Sequence, residues 1–561
     1  MTSVLLFFAA LLGLGAWLAP NHYPPWASFH SESMMAAAGL LVLPTVFRRA
    51  RLATASLTPL LAGALALSLV PLLQAALGMT YFAGDAWMAF IYLLGFALAV
   101  WTGQRLCALH GRQAVFERFV GLVLVAAVVS MGLALYQWLS LSGLGIYAAN
   151  LPPGGRPFAN LGQPNHLSTL LFMGLVGGLY LYEIGRIGPW VTALLCVFLE
   201  FGLAMTTSRT AWLAMTALVV ALWFFQRRAA LRLSRAALVG IAIVFIAWLW
   251  LWPVLNDALL LSSGRTFSNQ TASDPRAVLW GTAIEAIQRE PWLGYGWNQG
   301  LVAQSQVVID QPAGGRLIDS YHNLLLDLLI WNGVPLGAAV FGGLMWWGWR
   351  RLARAQDATA VMVLVALLGV FAHTMVELPL SFAYFLLPVG LLMGLLDGGA
   401  APLAGPRLPQ AVVGMLTAGL ASLVALVVAD YLQVEANTRV LRFETARIGT
   451  AVITSEAPQL RLLTQWGAYL KFARLEPRAG LSADELAWRG RVTERFPYAN
   501  AQLNMALALG LNGQPEAAAL NLRRLCSLHS ARRCAERLAE WRDLVQTRHP
   551  QLASIPLPKP Q

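Results

Sequence analysis

The chain is 561 residues long, with 58% hydrophobic and only 12% charged residues, where an ordinary soluble domain carries about 25% charged. A single water-soluble globule is excluded, and a mean hydropathy of +0.60 with repeated apolar runs of bilayer-crossing length indicates a polytopic membrane protein. The net charge of +12 does not indicate nucleic acid: 18 of the 39 Lys and Arg lie after Tyr431 among 11 acids, and the other 21 occupy connections between apolar runs, as the positive-inside rule distributes them.

In chain order, apolar runs bounded by charge or by Pro and Gly predict thirteen membrane helices. They lie at 3–19, 32–47, 57–77, 86–102, 119–141, 165–182, 189–205, 210–225, 236–253, 323–347, 359–375, 380–396 and 410–431. The first lacks a basic leader, and Trp17-Leu18-Ala19-Pro20 is a poor cleavage site, so it reads as a helix and not a removed signal. Alternate connections carry 15 arginines, among them Arg48, Arg105, Arg186, Arg227, Arg350 and Arg407. The opposite connections hold only Arg156, Arg209, Arg265, Arg276, Arg289 and Arg316. This asymmetry places the N-terminus in the cytoplasm and, after an odd number of spans, the tail outside; in a bacterium that is the periplasm. The expected architecture is therefore all-α: a membrane bundle over 1–431, and a soluble helical domain over 432–561.

Two cysteines agree with an external tail. Cys107 and Cys196 are solitary, whereas Cys526 and Cys534 stand eight apart and could bridge in an oxidising compartment. Ala501–Leu509, then Gly513, then Leu520–Leu525 read as helix, turn and helix resembling a single tetratricopeptide unit. One unit suggests a helical interaction domain and nothing sharper.

Function is expected in the two long external connections, 142–164 and 254–322. The larger holds Arg265, Arg276, Trp280, the turn Gly294-Tyr295-Gly296, and finally Tyr321, His322 and Asn323; Val278–Gln288 is helix-compatible, with Arg276 near its N-terminus. A histidine where the chain re-enters the membrane suits general-base work, although it could equally anchor the helix through a backbone carbonyl. Arginines in an external loop run against the charge rule. Their natural use is forked hydrogen bonding to phosphate oxygens, while Arg209, at a span boundary, could also snorkel to head groups. No two acids are separated by a single residue, so there is no acid-x-acid metal clamp, and zinc-type Cys/His spacing is missing too. No cofactor or metal is expected, and any pyrophosphate leaving group must be met by arginine.

His322-Asn323, nine residues, then Gly333-Val334 resembles the His-Asn-x9-Gly-aliphatic signature of the O-antigen ligase superfamily, which joins WaaL ligases, Wzy polymerases and PglL-type protein O-oligosaccharyltransferases. Arg276 with Trp280, Pro291 and Gly294-Tyr295-Gly296 is similar to the segment that precedes that histidine, and Ser208-Arg209-Thr210 to the family's arginine turn. Three stretches resemble the PglL branch: His22-Tyr23-Pro24-Pro25 with Glu32, Gly162-Gln163-Pro164-Asn165-His166, and Glu377-Leu378-Pro379-Leu380 after His373. The resemblance spans about residues 1–431.

It implies periplasmic, metal-independent, inverting transfer of a glycan en bloc from undecaprenyl pyrophosphate to a hydroxyl on an exported, pilin-like protein. Lipid A core as acceptor (the ligase branch) and chain lengthening (the polymerase branch) stand as alternatives. His322 would be the base, and Arg209 and Arg276 would hold the pyrophosphate, with Arg265 in reserve. Gln163, Asn165 and His166 would line the same cavity, or else form an N-cap cluster; Tyr321, Asn323 and Glu377 are further substrate-binding candidates. A transporter of the lipid-linked sugar is the competing class. Such proteins carry internal repeats and charges paired at mid-membrane, whereas here the intramembrane acids Glu200 and Asp327 lie near span ends and the polar residues gather in outer loops.

Overall fold

The computed structural model describes residues 2–47, 57–259, 276–310, 314–398, 408–446 and 456–558. Among these residues the protein is helical without strands, and a helix stands at each predicted span. Seven are long and apolar enough to cross a membrane: Pro59–Ala76, Ala83–His110, Arg112–Trp138, Arg209–Arg228, Arg235–Ala258, Leu324–Arg354 and Gln410–Thr445. Shorter apolar helices cover Ser3–Leu18, Pro189–Met205, Ala358–Thr374 and Ala383–Gly398. The protein is thus a multi-pass membrane protein. The last long helix runs unbroken as Gln410–Ala446, so the expected boundary at 431 falls inside one continuous element.

The chain divides into two compact units. The first comprises Met1–Ser68, Ile91–Ser273 and Leu344–Val424; the second comprises Leu69–Phe90, Asp274–Gly343 and Ala425–Gln561. At the heart of the first unit is helix Pro164–Glu183, buried at almost every position from Asn165 to Tyr180. Its polar face is absorbed by neighbours and its small residues permit close approach: a side chain at Gly174 would collide with Ala127, and one at Gly369 with the Phe172 ring. In lipid, where tails compete for apolar contact, such close packing is what binds helices together. The basic connections are tied down at their own ends. Arg351 pairs with the buried Asp397 at 2.5 Å, Arg112 with Asp357 at 3.1 Å, and Arg232 and Arg350 lie over the Tyr182 and Trp346 rings.

The second unit joins the large loop to the tail. The loop supplies helices Arg276–Arg289 and Gly300–Val307; the first matches the expected helix around 278–288. Asp430 turns the tail back by accepting the backbone N–H groups of Arg461, Leu462 and Leu463 on one carboxylate oxygen, at 2.9, 2.7 and 3.0 Å. Helices Ala499–Leu511 and Pro515–Leu528 then follow, and Ala531–Thr547 closes a core of Leu522, Leu525, Leu538 and Trp541. Cys526 and Cys534 are joined in a disulfide across this last turn.

Candidate active site

His322 lies in the second unit, half-buried, with a left-handed backbone at φ 54°, a conformation that costs a residue bearing Cβ roughly 1–2 kcal/mol. Its surroundings enforce that conformation. The buried Asp327 accepts from the Ser320 hydroxyl at 2.6 Å and from the Tyr321 N–H at 2.8 Å, and the Ser320 oxygen in turn accepts from the His322 N–H at 3.2 Å. Asn323 caps the following helix, its side-chain oxygen accepting from Leu325 and Leu326 N–H at 3.0 and 3.3 Å, as N-cap residues do. Tyr321 has no exposed surface. It packs among Leu279, Ala283, Ala303 and Ile330 and donates its hydroxyl to the Gly300 carbonyl at 3.4 Å. Burial pushes that phenol well above the ordinary tyrosine range, so it stays a donor.

Arg276 is the first described residue of its helix, and Trp280, one turn on, shares its face. The Trp280 indole donates to the Tyr321 carbonyl at 3.2 Å, which brings the Arg276 helix against the His322 turn. Arg289, at the other end, is used structurally: it donates to the Gln306 carbonyl at 2.7 Å and to Asp310 at 2.5 Å.

The nine-residue spacing after His322-Asn323 has a geometric cause. Helix Leu324–Arg354 is broken at Gly333, which adopts φ 71° and ψ 171°. Into the break fits the Pro291–Gly296 turn: Tyr295 N–H donates to the Ile330 carbonyl at 2.8 Å, and Val334 N–H to the Pro291 carbonyl at 2.7 Å. A side chain at Gly333 would collide with the Trp292 backbone, and one at Gly294 (φ 70°) with the Ile330 carbonyl and the Gly333 N–H. Gln74 completes the joint, donating to the Trp331 carbonyl at 2.9 Å and accepting from the Trp297 N–H at 2.9 Å. The Gly-x-Gly turn and the x9-Gly element are two halves of one lock.

In the first unit, Gln137 holds the 142–164 connection through the Ala149 and Ala159 carbonyls and the Phe158 and Ala159 N–H groups. Gln163 stands at the N-cap position of Pro164–Glu183, but its side chain makes no capping bond. Asn165 instead accepts from the Ser208 hydroxyl at 2.8 Å, bringing the Gln-Pro-Asn-His stretch to the Ser208-Arg209-Thr210 turn. Two helix N-termini converge there, and Arg209 is the first residue of Arg209–Arg228; positive helix ends and a guanidinium together favour an anion. His166, 2% exposed, meets the Tyr384 hydroxyl through Nδ1 at 2.9 Å, and its Nε2 is buried without a partner among the described residues. Thr169 and His373 bond alongside.

Glu377 is buried where the chain leaves His373, its N–H donating to the His373 carbonyl at 2.9 Å. Glu32 accepts from Ser28 at 2.5 Å, Trp26 at 2.9 Å, Tyr92, and the Ala383 N–H at 2.9 Å, so it braces three helices. Arg156, external by the charge pattern, caps helix Pro189–Met205 through the Thr206 carbonyl at 3.2 Å. Arg265 lies outside the described residues. Among the described residues no group of three or more His, Cys, Asp or Glu could hold a metal ion.

A multi-pass helical membrane protein with these motifs falls in the class of membrane glycan ligases, and comparison with known proteins narrows it. The O-antigen ligase family profile matches residues 193–341, the protein glycosylation ligase profile residues 157–182, and that of the C-terminal part of a virulence factor membrane-bound polymerase residues 361–543. The general O-oligosaccharyltransferase of Acinetobacter baylyi is 30% identical over 496 residues, covering 87% of this chain and 85% of that protein. The ComP-specific O-oligosaccharyltransferase of the same organism is 27% identical over 328 residues, 57% of this chain and 58% of that protein. The chain belongs to the PglL-type protein O-oligosaccharyltransferases of the O-antigen ligase superfamily. It is a glycosyltransferase that takes a lipid-linked oligosaccharide as donor and protein as acceptor.

Proposed function

We propose that the enzyme transfers a glycan en bloc from undecaprenyl pyrophosphate to Ser or Thr hydroxyls of an exported, pilin-like protein, on the periplasmic face of the bacterial inner membrane. Residues 1–431 form the catalytic body and 432–561 the periplasmic domain. His322 takes the proton of the acceptor hydroxyl; the oxygen's electron pair forms the new bond to the anomeric carbon while the bond from that carbon to the pyrophosphate oxygen breaks, with inversion. The departing electron pair stays on the diphosphate, whose charge Arg209 and Arg276 meet without a divalent ion. Gln163, Asn165 and His166 contact the donor, with Glu377, Asn323 and Tyr321 supporting substrate binding and Arg265 as a further cation for the diphosphate.

The observation that carries this reading is the strained His322 turn, held by Ser320 and Asp327 and braced by the helix that carries Arg276 and Trp280. Two further facts support it. Arg209 opens a helix, so its guanidinium and the helix end act on an anion together, and the His166 Nε2, without a partner among the described residues, offers a polar ligand one.

The test is transfer by the purified, reconstituted enzyme from an undecaprenyl-pyrophosphate-linked oligosaccharide, offered a pilin and, separately, lipid A core. Product on pilin is expected; product on lipid A core, or lengthening of the donor glycan, selects the ligase or the polymerase reading. His322→Ala should lower turnover by about 100-fold or more with donor binding kept, and Arg276→Lys should lose roughly tenfold in donor affinity if the contact is forked. Retained turnover in the first variant removes the base.

A further inference from the structure

Within the second unit the C-terminal helices bear on the segment that ends at His322, at two places. Asp85, near the start of helix Ala83–His110, is 2% exposed, and its carboxylate receives Arg495 Nε at 2.9 Å and a terminal nitrogen at 2.7 Å, the planar forked geometry. One of the same oxygens accepts from Gln299 at 3.2 Å, and the Asp85 carbonyl accepts from Asn298 at 3.2 Å. Asn298 and Gln299 open helix Gly300–Val307, and the Gly300 carbonyl is the acceptor for Tyr321, one residue before His322. Alongside, Tyr81 donates to Glu494 at 2.6 Å and Gly84 N–H to Thr464 at 2.9 Å. At the second place, a Cβ at Gly315 would meet the backbone of His529 and Ser530 at van der Waals distance, the turn bracketed by the Cys526–Cys534 disulfide.

These contacts form one chain of bonds, from Arg495 through Asp85 and Gln299 to the Gly300 helix, Tyr321 and His322. Burial pulls the Arg495 guanidinium down, and the Asp85 carboxylate, joined by Tyr498 and Asp319, more than restores it. A buried ion pair returns little net stability after desolvation, but it holds one arrangement against others when its members are bonded on every side.

We infer that the tail is a working part of the transfer site, in which Arg495 acts as a positioning residue that fixes, through Asp85 and Gln299, the register of the segment carrying His322. This rests on the reading in which His322 is the base. Arg495 touches no substrate; it acts through the backbone it steadies. A tail that served only to recruit the acceptor would instead alter acceptor KM.

The test uses the full-length enzyme in liposomes with an undecaprenyl-pyrophosphate-linked oligosaccharide and a pilin, turnover being read as release of the polyprenyl pyrophosphate. Arg495→Gln and Asp85→Asn should each lower kcat about tenfold or more, as small misplacements of reacting groups do, with acceptor KM within about twofold. Arg495→Lys should fall between, and the double variant should be no worse than the worse single one. Gln299→Met, which leaves the ion pair in place, should lower kcat with an unchanged melting temperature and guards against loss of fold in the charged variants. Wild-type kcat in Arg495→Gln or Gln299→Met, or a rise in acceptor KM alone, overturns the inference. His322→Ala is run beside them: turnover there removes the base itself, whereas a dead His322→Ala with a fully active Arg495→Gln removes only the positioning role.

Discussion

Asp327 does for His322 what none of the signature's four named residues can do. It takes the Ser320 hydroxyl and the Tyr321 N–H on its two oxygens, closing a turn whose left-handed residue would otherwise relax. Asp327→Asn keeps the volume but replaces one acceptor with a donor, setting an N–H against an existing donor. A hydrogen bond to a charged group is worth about 1.5–3 kcal/mol, so kcat should fall about tenfold or more. Ser320→Ala, which leaves Asp327 its bond to Tyr321, should cost less; turnover and melting temperature measured together check both, and an Asp327→Asn enzyme with wild-type kcat would show that the turn needs no such brace. His322 stands out in the sequence through its resemblance to the family signature, whereas Asp327 reads only as an acid near a span end, because its partners lie six and seven residues back across a non-helical turn. Likewise the six arginines of the sparsely charged connections look equivalent as charge. Folding distinguishes them, spending Arg156 and Arg289 on backbone carbonyls.

Among elements, the joint between the Pro291–Gly296 turn and the broken helix Leu324–Arg354 sets where the His322 turn can sit. Both glycines have positive φ and both face backbone, so neither strain nor collision can be relieved by a rotamer. Gly333→Ala should cost roughly 1–2 kcal/mol for the left-handed conformation and more for the clash with Trp292, abolishing transfer and lowering the melting temperature. Gly342→Ala, nine residues on, has open space around its new methyl and should behave as wild type in both measurements. Equal behaviour of the two variants would discard the lock. Hydropathy predicts one uninterrupted span over 323–347 because both halves of the broken helix are apolar; the break is specified by a turn some forty residues earlier, which periodicity does not see. The helix around 278–288 is readable as a helix-compatible stretch, and Arg276 is its first described residue.

For the whole molecule, apolar runs located a helix at every predicted span, because a helix satisfies within itself the backbone polar groups that lipid cannot. What they did not locate is how the tail folds back on the loop, since Asp85 and Arg495 are 410 residues apart. The tail also contains its own pH-sensitive element. His529, 6% exposed, donates Nε2–H to the Pro497 carbonyl at 2.9 Å. Burial holds its pKa below the ordinary value; the Pro497 bond opposes this shift and Arg533 adds to it. With the folded value depressed, the unfolded tail binds more protons as pH drops below about 6.5. The stabilisation is therefore complete above that value and is lost on acidification toward the lower folded pKa. The melting temperature of the tail should fall between pH 7.5 and 5.5 more steeply in the wild type than in His529→Gln, and parallel slopes would remove His529 from the account. Reducing Cys526–Cys534, which brackets the same turn, should lower stability at every pH by about 2–4 kcal/mol without changing that difference in slope, because the bridge restrains the unfolded chain and carries no proton.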